Sequence, residues 1–183
     1  MLKILYTGNI GLGHDLETII LAVAKIKGEL DFKVVFIGEG KAKQALQKQV
    51  EQLKLDNVEF RLPVPLYKLS KLMAEGDIHL VSQKNGTQGL IVPSKIYGIL
   101  AAGRPSLFIG PQDCEPAIII KQSKSGFIIS PGDVSSVVDA IKILASNEKI
   151  RFEMGEYARM YYDEHFGRKR SISRIINAIE SIV

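Results

Sequence analysis

Short apolar runs and longer amphipathic stretches take turns along this 183-residue chain. LKILYT, FKVVFI, VEFRL, DIHLVS, SLFIG and GFIIS are rich in β-branched and aromatic residues, and each reads as a strand. Between them, residues 14–28, 40–54, 65–75, 93–102 and 115–124 carry helical periodicity. In the first of these, Ile19, Ile20, Val23 and Ile26 share one face, which would meet a sheet. Strict alternation of the two patterns implies a parallel sheet of about six strands with helices on both faces, a Rossmann-like α/β domain. Residues 148–183 read as two helices broken near Gly167 and Arg168. A body of residues 1–146 is therefore expected to hold any ligand site, with residues 147–183 packing back on it as helices.

Sheets of this kind bind ligands beyond the carboxyl ends of their strands. The loops expected there hold glycine: GNIGLGHD after the first strand, GEGK after the second and QKNGTQG after the fourth. Gly8, Gly11 and Gly13 are spaced G-x-x-G-x-G, which is not the G-x-G-x-x-G order of a dinucleotide loop. The most informative stretch is GLIVPSKIYGILAAGRP, residues 89–105. Gly86 and Gly89 allow backbone to approach a ligand, and Pro93 suits a first helical turn. Ser94 and Lys95 would then sit where unpaired N–H groups and the helix dipole favour an anion, and Lys95 adds a full charge. Gly103 ends the helix. The alternative is an ordinary helix–strand unit with a glycine stop and a solvated lysine. His14, expected where the first helix begins, either meets a phosphate or developing charge or merely starts that helix, and Asp15 reads as an acid favoured by the helix dipole.

Composition narrows the partners. A net charge of +4 with no long basic run fits an anionic ligand or a membrane surface and gives nucleic acid no support. Cys114 is the single cysteine, so neither a disulfide framework nor a thiolate metal cluster is expected, and a reducing compartment is. The chain opens without a signal-peptide pattern and has no apolar run near the ~20 residues that cross a bilayer. The expected location is the cytoplasm, at most the inner face of the plasma membrane. His79 lies within a strand run and reads as a core histidine with a hydrogen-bond partner. Asp113 and Glu115 read as helix-start acids or contacts to hydroxyls. Arg168, Lys169 and Arg170 form a short basic cluster, a solvated helix start or a face for acidic lipid. Ser171 lacks the pattern of a hydrolase triad.

Taken in order, GNIGLGHDLETII, VVFIGEG, GLIVPSKIYGILAAGRP and SGFIISPGD resemble the donor-binding, C-terminal half of a GT-B glycosyltransferase of the family 4 type, in the bacterial group that builds cell-surface polysaccharides. The resemblance implies a nucleotide-sugar donor, a UDP-sugar above all, and retention of anomeric configuration. It sets Gly8, Asn9, Gly11, Gly13 and His14 near the donor diphosphate, Arg61 and Tyr67 beside the base, and Gly89, Leu90, Ser94, Lys95 and Gly98 in the loop–helix segment. It also implies that this chain is half of an enzyme, with the acceptor domain elsewhere, and that IIxAIxxI (residues 175–182) is an apolar face for that domain. Two departures stand out. Many members place Arg after the first glycine and Lys five residues later, where this chain has Asn9 and His14. Many carry two glutamates eight positions apart, where this chain has Leu90 and Gly98. Lys95 and His14 are the candidates for catalytic roles, Lys95 as the diphosphate cation. No DxD-type pair and no His/Asp/Glu cluster at metal spacing occurs in the ligand loops, so no metal or other cofactor is expected. The alternatives are a relative of nucleotide-sugar epimerases and a non-catalytic nucleotide-binding module.

Overall fold

The computed structural model describes residues 1–180, apart from the side chains at positions 168, 169, 174 and 178. Six strands, β1 (Leu2–Thr7), β2 (Phe32–Ile37), β3 (Val58–Arg61), β4 (Ile78–Ser82), β5 (Ser106–Ile109) and β6 (Gly126–Ile129), pair in parallel in the order β3-β2-β1-β4-β5-β6. All six strand expectations hold, and the sheet is the parallel, helix-covered one that the alternation implied. Winding runs outward from β1 to β3 and then reverses, so β4 lies on the other side of β1, with Ile4 opposite Ile78 and Leu5 opposite His79. Between β1 and β4 the loops leave in opposite directions, which opens a crevice at the carboxyl edge.

Helices α1 (Glu17–Lys25), α2 (Lys43–Gln52), α3 (Leu69–Glu75), α4 (Lys95–Ala101), α5 (Glu115–Ser123), α6 (Val134–Ser146), α7 (Glu148–His165) and α8 (Arg168–Glu180) complete the fold. Strand residues alternate between two apolar cores. Tyr6, Phe36, Leu80, Leu107 and Ile109 join Ile19, Ile20 and Val23 of α1 and Val137 and Ile141 of α6 on one side. Val81 and Phe108 meet Ile96, Ile99 and Leu100 of α4, Ile120 of α5 and Ala158 of α7 on the other. Both faces are buried, as a parallel sheet requires.

Several helices are shorter than their periodic stretches. The first begins at Glu17 and not at His14, because the Asp15 carboxylate caps it, accepting from Thr18 N–H (3.2 Å) and Thr18 Oγ1 (2.6 Å). Residues 65–75 divide into a 3₁₀ turn, Leu66–Lys68, followed by α3. α4 covers seven residues within 93–102, and Gly103, at φ 62°, ends it in the left-handed conformation. The whole of α6 lies outside the helical stretches read from sequence, although Val137, Ala140, Ile141 and Leu144 bury one helical face and Asp133 caps its start by accepting from Ser136 N–H at 3.0 Å. α7 and α8 meet at the expected break. α7 packs closely on α4: Arg159 donates to the Ala101 carbonyl (2.9 Å) and Phe166 meets Tyr97 edge-on at 4.8 Å. On α8, Ile172, Ile175, Ile176 and Ile179 are exposed, while Ile182 and the side chains of Arg168 and Lys169 in the expected basic cluster lie outside the described residues.

The loops after β1 and β2 are laced together through their backbones. Gly8 N–H donates to Ile37 O (2.9 Å), Ile10 N–H to Glu39 O (2.8 Å) and Ala42 N–H to Ile10 O (3.0 Å). The approach is so close that a β-carbon on Gly38 would stand 1.8 Å from Gly8 O, and one on Gly40 2.2 Å from Ile10 O. The GEGK glycines thus serve backbone contact between loops. Gly38→Ala is expected to cost at least ~2 kcal/mol in urea unfolding, because backbone and not a flexible side chain must give way; an unchanged midpoint would show that the lacing is not needed.

Candidate functional site

The end of β4 anchors the loops on both sides of the crevice. The Ser82 hydroxyl donates to Asp15 O (2.6 Å), the Ser82 carbonyl bonds His14 Nδ1 (2.6 Å), and Lys84 N–H donates to Gly13 O (2.8 Å). Gln83 Nε2 reaches the other way, to Ile91 O at 3.0 Å. Between the loops held this way opens a cleft of about 520 Å³, with Gly8, Asn9 and His14 on one wall, Met73 of α3 at one side, and Lys95 and Gly98 of α4 opposite. Its lining contains no carboxylate.

Lys95 is the centre of the site. α4 packs on the sheet face opposite the Tyr6 ring, so the lysine reaches across the carboxyl edge between β1 and β4 to place Nζ 3.3 Å from that ring's centroid. Tyr6 is itself fixed by its hydroxyl, which donates to Asn9 O at 2.6 Å. Among the described residues the ring face is the ammonium's sole partner: Nζ is buried and has no hydrogen-bond acceptor there. An aromatic face is worth only ~1–2 kcal/mol to a cation, less than burial costs it. Desolvation accordingly pushes the Lys95 pKa down to about 7. A β-carbon at Gly8, whose φ is 119°, would have only Lys95 Cε and Nζ within 4 Å, both at 3.6 Å. Those are ordinary van der Waals distances, so the first glycine of the β1 loop lies directly against the lysine's ammonium end.

The remaining sequence candidates divide. Gly8, Asn9, His14, Ser94, Lys95 and Gly98 come together around the cleft. Gly11 and Gly13 do not line it: a β-carbon on Gly13 would strike Ile91 Cδ1 at 2.4 Å, so that glycine serves packing between loops. Gly89 and Leu90 also stand outside the lining, and Leu90 is 82% exposed. Arg61 is held by Glu59 (2.6 Å) and Glu75 (3.9 Å), and Tyr67 is 79% exposed, so neither reaches this cleft. The expectation that the first turn of α4 supplies a strong dipole is weakened by its length, since seven residues align few peptide units; the charge comes from Lys95. His79 is a core histidine as expected, fully buried, with Nε2 2.9 Å from Met73 O and its pKa pushed down to about 4 by burial. Glu115 accepts from the Tyr97 hydroxyl (2.5 Å), and Asp113 lies 3.4 Å from Gln88 Nε2.

Sequence reasoning missed Tyr6 and the apolar wall of Leu69, Met73, Ile91 and Val92. The signal for Tyr6 is a polar-tipped aromatic one residue before the end of an otherwise aliphatic strand. A smaller cleft of about 290 Å³, lined by Gly38, Glu39, Pro63, Val64 and Leu72, adjoins the first and shares Thr7, Gly8, Asn9 and Leu69 with it. Among the described residues, no group of three or more His, Cys, Asp or Glu is placed to hold a metal ion, and no helix is long and apolar enough to cross a membrane.

A doubly wound parallel sheet with an unpaired lysine in its switch-point crevice defines a Rossmann-like domain whose site suits an anionic ligand. The chain belongs to the family of glycosyl transferases group 1, whose model matches residues 2–161. Over 102 residues, 55% of the chain, it is 43% identical to WcaI of Escherichia coli (strain K12), a protein named for colanic acid biosynthesis and glycosyl transfer. That match spans 24% of WcaI, and the curated relatives matched are covered over 24% to 40% of their length. HepE of Anabaena, solved with UDP, superposes with a TM-score of 0.83 at 14% identity, over 98% of this chain and 48% of that one. The C-terminal domain of the group 1 glycosyl transferase LpcC of Francisella tularensis gives 0.74 at 19%, over 91% of this chain and 87% of that one. These two likenesses bear on the fold alone.

Lys95 also sets a sign for stability. A lysine whose folded pKa lies below its unfolded value loses its proton on folding between those values, so its penalty is full below about pH 7 and fades as pH rises toward the ordinary lysine range. Lys95→Met is expected to raise the melting temperature at pH 6 by at least ~2–4 °C, the equivalent of about 1 kcal/mol in a chain of this size, with the gain shrinking by pH 10. A lower melting temperature at pH 6 would mean that the ammonium is well solvated.

Proposed function

We propose that this chain is the donor-binding half of a glycosyltransferase that builds cell-surface polysaccharide, and that its crevice takes the diphosphate of a nucleotide sugar. The observation that carries the reading is the ammonium of Lys95, buried against Gly8 without an oxygen partner among the described residues. A phosphate oxygen there would be its first strong partner. When a sugar leaves its nucleotide, negative charge grows on the departing phosphate oxygen, and a cation held ready in a site of low polarity stabilises that charge without reorganisation. Lys95 thereby supplies, from α4, positive charge that many family members draw from Arg and Lys in the first glycine loop. Transfer with retention and without a metal, a UDP-sugar donor and an acceptor site on a second domain are part of the same proposal. HepE's complex with UDP, and WcaI's naming for colanic acid biosynthesis and glycosyl transfer, support it by likeness.

One observation favours a second reading. With Leu90 and Gly98 at the family's glutamate positions and no carboxylate in the cleft lining, the ribose and sugar contacts those glutamates make elsewhere are absent, as a nucleotide-binding module without transfer would allow. The same lack weighs against an epimerase-like enzyme, which needs acid and base groups. Release of UDP in the presence of a lipid-linked sugar acceptor and the acceptor domain separates transfer from mere binding.

Calorimetry with UDP-glucose tests the diphosphate role. The ligand keeps both phosphate charges throughout the neutral range, so binding must return a proton to Lys95 wherever the free lysine has lost it. Affinity is expected to fall as pH rises above about 7, toward tenfold per pH unit, and to level off at lower pH, where Lys95 is already charged. Lys95→Ala is expected to weaken binding at pH 6.5 at least ~10-fold. Undiminished affinity in Lys95→Ala would rule out the role.

A further inference from the structure

His14 lies in the same cleft, yet its geometry does not suit a phosphate. A carbonyl oxygen only accepts hydrogen bonds, so the 2.6 Å contact with Ser82 O requires the hydrogen of the neutral ring to be on Nδ1. Nε2 then carries a lone pair and no hydrogen. The groups facing the ring keep it in that form: Tyr6 meets it edge-on at 6.1 Å, and the nearby cations are Lys95 of α4 and Lys84 beyond β4. The Asp15 carboxylate next to it in sequence is occupied by Thr18. Burial above all, with the fields of Lys95 and Lys84 added, holds the imidazole below its ordinary pKa, although the Ser82 bond pulls the other way. The ring is half-buried and lines the cleft, and Nε2 has no hydrogen-bond partner among the described residues.

A diphosphate diester offers no hydrogen at neutral pH, so a bare Nε2 repels its oxygens and cannot bond them. What it can take is a hydrogen from a neutral donor group. We propose that His14 is a specificity-determining residue whose Nε2, fixed by the Ser82 carbonyl, accepts a hydrogen bond from the sugar end of the bound nucleotide sugar, a hydroxyl or an acetamido N–H. The division of labour is then explicit: Lys95 meets the charge, and His14 reads the sugar. This inference rests on the nucleotide-sugar reading of the cleft.

Long-range ¹H–¹⁵N NMR of the full chain tests it. In the free protein at neutral pH, the His14 signals are expected to show a protonated Nδ1 and a bare Nε2. Adding UDP should leave Nε2 bare, whereas UDP-glucose or UDP-N-acetylglucosamine should shift it toward a hydrogen-bonded acceptor, the sugar with the larger shift identifying hydroxyl or amide as the donor. By calorimetry, His14→Ala should weaken binding of the preferred sugar nucleotide about tenfold while leaving UDP within about twofold, and His14→Gln, which keeps an acceptor oxygen, should recover part of the loss. UDP binding with Nε2 blind to either sugar, equal losses for UDP and its sugars, or tighter UDP binding in His14→Lys would each overturn the proposal alone. A chain that binds no UDP at all would overturn it together with the donor reading.

Discussion

Everything in the site depends on the parting of loops where the winding of the sheet reverses between β1 and β4. Strands on either side of that line send their helices to opposite faces, so the loops that leave β1 and β4 cannot cover the gap between them. The sequence stiffens the edges of the gap instead of filling it. Ser82, Gln83 and Lys84 bond to both walls, and the β1 loop is sewn to the β2 loop by three backbone hydrogen bonds that only glycine at 38 and 40 permits.

Into that crevice the fold places a charge it does not satisfy. A buried ammonium resting on an aromatic face is a cost to the folded state, and proteins keep such costs where function uses them. The first glycine loop itself brings Asn9, whose backbone carbonyl accepts from the Tyr6 hydroxyl, and His14, whose Nδ1 bonds the Ser82 carbonyl. The positive charge of the cleft lining comes from Lys95 of α4. The exposed isoleucines of α8 lie on the part of the chain beyond the residues that the family model matches.

Much of this was legible in the residues. Six β-branched runs alternating with amphipathic stretches define the parallel sheet, because a strand buried on both faces has no polar phase to confuse its period. Gly8, His14, Ser94 and Lys95 were named from glycine placement and the Pro93-Ser94-Lys95 turn, and Asn9 and Gly98 from the family resemblance; the fold gathers all six around one cleft. α6 escaped because its opening VSSVV has weak helical propensity, and only its cap and its contact with α1 make it a helix. Gly11 and Gly13 looked like ligand contacts because a sequence does not reveal whether a glycine makes room for a ligand or for a neighbouring loop. Tyr6 escaped for a related reason: a strand tyrosine looks like core until the side chain that crosses onto it from another element is seen. The tautomer of His14 depends on a carbonyl 68 residues away in the chain, beyond the reach of any local pattern.

On the proposed reading, the desolvated ammonium at the crevice is completed by the diphosphate of a bound nucleotide sugar. The most direct measurement is the titration of Lys95 itself, followed by NMR at its Cε and Nζ, in the free chain and in the presence of saturating UDP. A free-state midpoint near 7 that moves well upward with UDP bound is the predicted result. A midpoint at the ordinary lysine value in both states would contradict the account.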